Sequence, residues 1–185
     1  MPHPFGGRVS KHFGNSLAPE DPYLSLTKED VDTLKGDWLT DNTIAFWEEY
    51  LENETLKKYP SSNIVLLRPS MAFMLMQTPN PLDLKQALPD FSKTTHIFLP
   101  INDNRNVSVA EGGSHWSLLL VSVVDGVAFH YDSLSPSNWN EAEEMLRIIE
   151  GYRKEGERRR SHDESRSSSP FQRSSAPRSP PRIDS

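Results

Sequence analysis

The chain has 185 residues, a formal net charge of −6 at neutral pH and no cysteine. This length accommodates one globular domain, and the lack of cysteine excludes disulfides and thiolate metal sites. Residues 153–185 hold nine basic and five acidic residues, so the first 152 residues carry a net charge of −10. An acidic body argues against a nucleic-acid-binding fold and favours basic partners.

The two ends of the chain are predicted to be flexible. Residues 1–19 are rich in Gly, Pro and His without a hydrophobic period, and their His3 and His12 lack further ligands for a metal. Residues 153–185 are dominated by Ser, Arg and Pro and cannot bury a core. We therefore expect a folded domain over residues 20–152. The tail is either a genuine RS-type segment or the translation of an unspliced intron or shifted frame, and the abrupt change in composition favours the second.

No apolar run approaches the length of a membrane span, and the N-terminus has no apolar signal-peptide core. The sequence thus predicts a soluble protein of the nucleus or the cytoplasm. It predicts neither a metal site nor a cofactor.

Helices are predicted first. Thr27, with an acidic residue three positions later, begins a short helix that reaches Leu34. Thr40 or Asp41 caps a second helix, whose apolar residues recur with a helical period: Ile44, Trp47 and Leu51. From the residues alone, Trp38 is best explained as a hydrophobic staple that packs on this helix.

The middle of the chain alternates short strands and helices. Strands are predicted over Asn63–Arg68 and Thr95–Pro100. Between them, Ser70 caps a helix over Met71–Gln77, and a short helix follows at Leu82–Ala87. The apolar face of the first of these helices is predicted to be core: Met71, Met74 and Leu75.

A hairpin with a tight, two-residue Asp-Gly turn is predicted between two apolar runs, Trp116–Val124 and Val127–Tyr131, because Asp-Gly supplies the positive φ angles that such a turn needs. His115 opens the first strand and Asp132 closes the second, so the hairpin brings them together. An imidazole beside a carboxylate is the base-and-orienting part of a nucleophilic triad. After the hairpin, Ser137 or Asn138 caps a helix whose apolar face comprises Trp139, Ala142, Leu146 and Ile149.

Four motifs in order (DWLTD, HIFLPIND, GGSHWSLLL and FHYDSL) resemble the ubiquitin-like-protein-specific proteases, the Ulp/sentrin-protease family, and most of all its deneddylase branch. The resemblance implies an α+β papain-like fold, with a mostly antiparallel central sheet flanked by helices. Members are cysteine peptidases that remove or mature a ubiquitin-like modifier, of the Nedd or SUMO type, at its C-terminal Gly-Gly. The implied partners are therefore the modifier and its conjugates.

The resemblance also assigns roles to residues. His115 would deprotonate the cysteine, with Asp132 orienting it. Trp38 and Trp116 would enclose the di-glycine tail and Asp41 would contact it; Thr40 stands where the family more often has Asn. Asn102 could reach the substrate backbone, although a turn-forming Asn is the simpler explanation.

The chain lacks the family's cysteine, so the resemblance implies a domain that is incomplete at its C-terminus and catalytically dead. It would then be a modifier-binding remnant, with apolar faces of residues 116–124 and 127–129 left exposed. Two alternatives are an interaction protein that acts through its RS-type tail and a serine hydrolase. The latter is disfavoured because no GxSxG-like elbow is present.

Overall fold

The computed structural model describes residues 24–84, 86–89, 91–108 and 112–167. The predicted leader and the last 18 positions of the predicted tail, 168–185, lie outside these residues. Four α-helices are described: α1 (Lys28–Thr33), α2 (Asp41–Glu54), α3 (Pro69–Gln77) and α4 (Trp139–Ser167). Four strands accompany them: β1 (Ile64–Leu66), β2 (His96–Asn102), β3 (Trp116–Ser122) and β4 (Val127–Tyr131). None of the helices in these ranges is long and apolar enough to cross a membrane.

The strands form one sheet in the order β1-β2-β3-β4. β1 runs parallel to β2, and the other neighbouring pairs are antiparallel. The predicted α+β fold with a mostly antiparallel sheet is therefore confirmed. The register places Asn102 opposite Trp116 and Leu118 opposite Tyr131. The end of β2, the start of β3 and the end of β4 consequently lie side by side at the same end of the strands.

One face of the sheet forms the core. Alternate residues of β2 (Ile97, Leu99 and Ile101) are fully buried there, as expected for a strand with one covered face. α3 and α4 pack over them, since Leu75, Met145 and Ile149 belong to the same buried cluster.

The other face is only partly covered. An apolar groove of about 450 Å³ lies between α2 and the sheet, with Trp47, Phe98 and Leu118 among its lining residues. On the edge strand β4, Phe129 and Tyr131 are 49% and 57% exposed. The predicted exposure of apolar residues on the hairpin is confirmed for β4, whereas Leu118 on β3 is half-buried.

The starts of α1 and α2 follow the predicted capping chemistry, and the start of α3 does not. Thr27 and Asp30 form a reciprocal capping box at α1. Thr40 is the N-cap of α2, where its side chain accepts the N–H of Thr43. The prediction for α3 is wrong, because this helix begins at Pro69 with Arg68 at the N-cap, and proline suits the first helical position.

Side-chain burial on α3 also corrects the predicted core. Leu75 is fully buried, but Met74 is 40% exposed and lies outside the core. The helix predicted over Leu82–Ala87 is only a 3-10 turn over Pro81–Leu84, with residue 85 outside the description.

α4 is longer than the sequence predicts, because it continues through the start of the predicted disordered tail to Ser167. Charged pairs one helical turn apart connect Arg153 with Glu157 and Arg159 with Glu155, at 3.2 and 2.7 Å. Such pairs support a helix that has little apolar surface to bury.

The hairpin connection also differs from the predicted two-residue turn. Ser122 pairs with Val127, so residues 123–126 form a four-residue loop. Gly126 supplies the positive φ angle, +67°, that the Asp-Gly pair was expected to provide.

Candidate active site

His115 and Asp132 are in direct contact, as the hairpin predicts. The distance from His115 Nε2 to Asp132 Oδ1 is 2.6 Å, and their side chains are only 5% and 2% exposed. His115 lies one position before β3 and Asp132 one position after β4, so the sheet register sets their approach. Because the carboxylate accepts a hydrogen bond from Nε2, it favours the tautomer in which the neutral ring leaves Nδ1 as a base.

Two main-chain donors hold the carboxylate of Asp132 in place. The N–H of Asn138 donates to Oδ2 at 3.0 Å, and the N–H of Leu134 donates to Oδ1 at 2.8 Å. The Asn138 N–H is the largest influence on the pKa of Asp132 and, with His115 and the Leu134 N–H, lowers it to about 2 against the opposing effect of burial. Asp132 is therefore a fixed anion at neutral pH.

The loop before His115 is fastened to the end of β2 by Asp103. Its Oδ1 accepts the N–H groups of Ser114 and His115 at 2.6 and 3.2 Å, and its Oδ2 accepts the Ser114 hydroxyl at 2.6 Å. Burial raises the pKa of Asp103, but the hydrogen bonds from Ser114 and His115 outweigh it and the net shift is downward. The carboxylate thus fixes the main chain from which the imidazole projects.

Gly113 is required at its position in this loop. Its φ of +95° lies in the region that L-residues avoid, and an added Cβ would collide with the Asn102 side chain. Asn102 itself accepts the N–H of Asn104 at 2.8 Å, which is the turn-forming arrangement that the sequence favours.

The predicted tail-binding residues line one cleft together with His115. This cleft, called the tail cleft below, has a volume of about 210 Å³. Its lining includes Trp38, Asp41, Asn102, His115 and Trp116. Residues that are up to 78 positions apart in the sequence therefore converge on one depression.

A long-range hydrogen bond ties the two sides of the tail cleft together. The indole N–H of Trp116 donates to the main-chain carbonyl of Leu39 at 3.0 Å. Leu39 follows Trp38, whose side chain is 60% exposed. Trp38 therefore lies at the surface. Most of its indole ring is in solvent, so little of it packs on α2 as the predicted staple.

A base such as His115 needs a neighbouring hydroxyl or thiol to act on as the nucleophile. Nδ1 of His115 has no hydrogen-bond partner among the residues that the structure describes. The neighbouring serine hydroxyls are engaged elsewhere, Ser114 with Asp103 and Ser117 with His130. Both hydroxyls are thus hydrogen-bonded to side chains other than His115, which weighs against a serine hydrolase. Among the described residues, no three His, Asp or Glu side chains gather as a metal site.

Sequence reasoning overlooked Asp103 and the site role of Asn138. Asp103 belongs to the IND segment, so that motif contained the signal, but only Asn102 was singled out. Asn138 was predicted only as a helix cap, whereas its side chain is fully buried and contacts main-chain atoms near the His–Asp pair.

The C-terminal catalytic domain of the Ulp1 protease family matches residues 37–183. This range covers most of the chain and includes the His–Asp pair and most of the residues that line the tail cleft. The chain belongs to the Ulp1 protease family. The contact between His115 and Asp132 therefore lies within the region that matches this family's catalytic domain.

Individual relatives in this family carry names that refer to two modifiers. NEDD8-specific protease 2 of Schizosaccharomyces pombe is 46% identical over 123 residues, which are 64% of this chain and 29% of that protein. NEDD8-specific protease 1 of Arabidopsis thaliana is 33% identical over 148 residues, 76% of this chain and 61% of the relative. Sentrin-specific protease 8 of Homo sapiens is 34% identical over 130 residues, 69% of this chain and 60% of the relative. The chain therefore spans less than two thirds of each of these Ulp1-family relatives.

Proposed function

We propose that the tail cleft binds the C-terminal Gly-Gly tail of a NEDD8-type modifier, and that this chain holds the tail without cleaving it. The observation that carries the proposal is the buried 2.6 Å contact of His115 with Asp132 beside a cleft lined by Trp38 and Trp116. The names of the relatives support NEDD8 as the modifier.

The His–Asp pair has the chemistry that thiol catalysis needs. Asp132 keeps the proton on Nε2, so Nδ1 of His115 can take the proton of a thiol. The thiolate would then attack the carbonyl carbon of the second glycine and displace the amine bonded to it. His115 would return the proton to the departing amine, and water would release the resulting thioester. The 185 residues contain no thiol, so they supply the base and its orienting group without the nucleophile.

The residues of the tail cleft explain why glycine would be selected. Indole rings are broad and rigid, and a narrow passage beside them leaves no room for a Cβ. Trp38 and Trp116 would enclose the tail, while Asp41 and Asn102 offer polar groups to its main chain. We expect an affinity on the order of micromolar or weaker for a contact confined to this cleft of about 210 Å³, because a small interface and limited preorganisation both reduce affinity.

A titration of the full chain with labelled NEDD8 tests this proposal. Trp38→Ala and Trp116→Ala should each weaken binding by about tenfold or more, because aromatic anchors carry much of an interface's energy. Trp139→Ala is the matched control, since Trp139 is exposed to nearly the same extent as Trp38, 56% against 60%, but lies outside the tail cleft. NEDD8 that lacks its last two glycines should not bind. Equal effects of all three substitutions, or undiminished binding of the shortened NEDD8, would disprove the proposed role of the cleft.

A further inference from the structure

Asn138 makes an unusual set of contacts for a residue at the start of a helix. It is fully buried, and its Nδ2 donates to the carbonyls of Ile101 and His115 at 3.2 and 3.1 Å. Its main-chain N–H donates to Asp132 Oδ2 at 3.0 Å. One residue therefore contacts both members of the His–Asp pair and the end of β2.

A capping function does not account for this side chain. An asparagine N-cap normally uses its side-chain oxygen to accept an N–H of the first helical turn. Here the main-chain carbonyl of Asn138 accepts the N–H of Ala142, but its buried Oδ1 has no hydrogen-bond partner in the part of the chain that the structure describes. The amide is oriented so that Nδ2 reaches the strands, and a buried oxygen without a partner costs stability. The orientation thus favours contact with His115 over capping of α4.

The geometry explains what these contacts do. The Nδ2 atom of Asn138 links the residue before α4 to the main-chain carbonyl of His115. This contact sets the distance between the start of α4 and the imidazole. The main-chain N–H on the same residue sets the position of the Asp132 carboxylate. Any displacement of residue 138 therefore changes the alignment of Asp132 with Nε2 of His115.

We propose that Asn138 is the positioning residue of the pair, because it fixes Asp132 and His115 relative to one another through its main-chain N–H and its buried Nδ2. The role rests on the proposed function, in which His115 is the base. In that setting, Asn138 ensures that Nδ1 is the nitrogen left free to accept a proton.

The test measures the tautomer of His115 in the full chain, labelled with ¹⁵N at histidine, at alkaline pH. The wild-type ring should be protonated at Nε2, and Asp132→Asn provides the reference for a lost preference. Asn138→Ala should lower the ratio of the Nε2–H to the Nδ1–H form by roughly fivefold. This change corresponds to the free energy of about one ordinary hydrogen bond. Unfolding in urea, recorded on the same samples, shows whether each variant is folded.

Ser122→Ala is the matched control, because Ser122 is a buried polar residue at the other end of β3, hydrogen-bonded to His96 and Asp125. It should lower stability and leave the tautomer ratio of His115 unchanged. If Asn138→Ala also lowers stability with an unchanged ratio, Asn138 is merely structural and the proposal is wrong.

A second variant covers the case in which Asn138→Ala does not fold. Asn138→Ser keeps the main-chain N–H and offers one side-chain donor in place of the two Nδ2 contacts, so the ratio should fall by a factor smaller than five; an unchanged ratio overturns the proposal. None of these measurements uses NEDD8. Failure of NEDD8 to bind would therefore count against the proposed function alone, and an unchanged tautomer against the role of Asn138 alone.

Discussion

Trp116 donates its indole N–H to the carbonyl oxygen of Leu39 at 3.0 Å, across 77 positions of sequence. The bond joins the residue after the candidate base to the segment that carries Trp38. The loop before α2 and the start of β3 are thereby held as the two sides of one cleft, since both line it.

Removal of this donor should loosen the cleft. Trp116→Phe keeps an aromatic ring but leaves the Leu39 carbonyl without its partner, so we expect a loss of about 1 kcal/mol in the free energy of unfolding. Urea denaturation followed by circular dichroism measures the change. Trp139→Phe, at an exposed tryptophan on α4, is the control and should be nearly neutral. Equal stabilities of the two variants would contradict a structural role of the bond.

A second prediction concerns the loop that carries His115. Gly113→Ala forces a Cβ into the Asn102 side chain at a φ of +95°, so the variant should be destabilised by about 2 kcal/mol or more. Two other glycines separate the causes. Gly126 also has a positive φ, +67°, but a Cβ there would meet no described atom, so Gly126→Ala measures the backbone strain alone. Gly36 has neither a positive φ nor a described neighbour, so Gly36→Ala measures the substitution itself. Unfolding free energies should fall in the order Gly36, Gly126, Gly113; a Gly113 variant no worse than Gly126→Ala would show that Asn102 yields easily.

Much of this site could be predicted from the sequence, because its chemistry depends on a local pattern. The Asp-Gly pair between two apolar runs predicts the hairpin, and the hairpin alone brings His115 to Asp132. Asn138 could not be assigned in the same way. Its partners are main-chain carbonyls, one of them 37 positions earlier, and no side-chain pattern encodes such contacts. The full length of α4 was missed for a different reason: composition suggested disorder, while charged pairs at helical spacing support the helix.

Glu48 should make the stability of the fold depend on pH. Burial raises its pKa to about 8, although the Arg68 guanidinium, 3.6 Å away, acts in the opposite direction. Because the folded protein binds this proton more tightly than the unfolded chain, Glu48 favours folding most at acidic pH. That contribution declines as pH rises from about 4.3, the ordinary value for glutamate, through about 8.

Glu48→Gln should abolish this dependence. Relative to wild type, the variant should gain stability progressively between the two pKa values and no further above the higher one. Urea unfolding at a series of pH values measures the difference. Glu150→Gln removes a half-exposed carboxylate from α4 and controls for the change in net charge. A constant difference between Glu48→Gln and wild type across the range would show that the Glu48 carboxyl titrates normally.

The open face of the sheet predicts self-association. Val127, Phe129 and Tyr131 alternate along an edge strand and are each at least 45% exposed, and an apolar edge of this kind pairs readily with another chain. Phe129→Lys should weaken association by about tenfold, as measured by sedimentation or light scattering over a range of concentrations. Val107→Lys adds the same charge at an exposed valine, 69% accessible, which lies in the connection between β2 and β3 and not on β4. A monomeric wild type with a sharp cooperative melt, or equal effects of the two lysines, would contradict this prediction.

The last prediction is catalytic silence of the 185-residue chain. The imidazole of His115 and the carboxylate of Asp132 are in contact, but the 185 residues contain no thiol that this base could deprotonate. The serines beside His115 are hydrogen-bonded to other side chains. Purified chain should therefore release nothing from a NEDD8 precursor extended beyond its Gly-Gly, and should form no adduct with NEDD8 that carries a C-terminal electrophile. NEDD8-specific protease 1 of Arabidopsis thaliana serves as the comparison enzyme in both assays. Turnover that follows the chain through purification and disappears in His115→Ala would show that the chain draws a nucleophile from another residue.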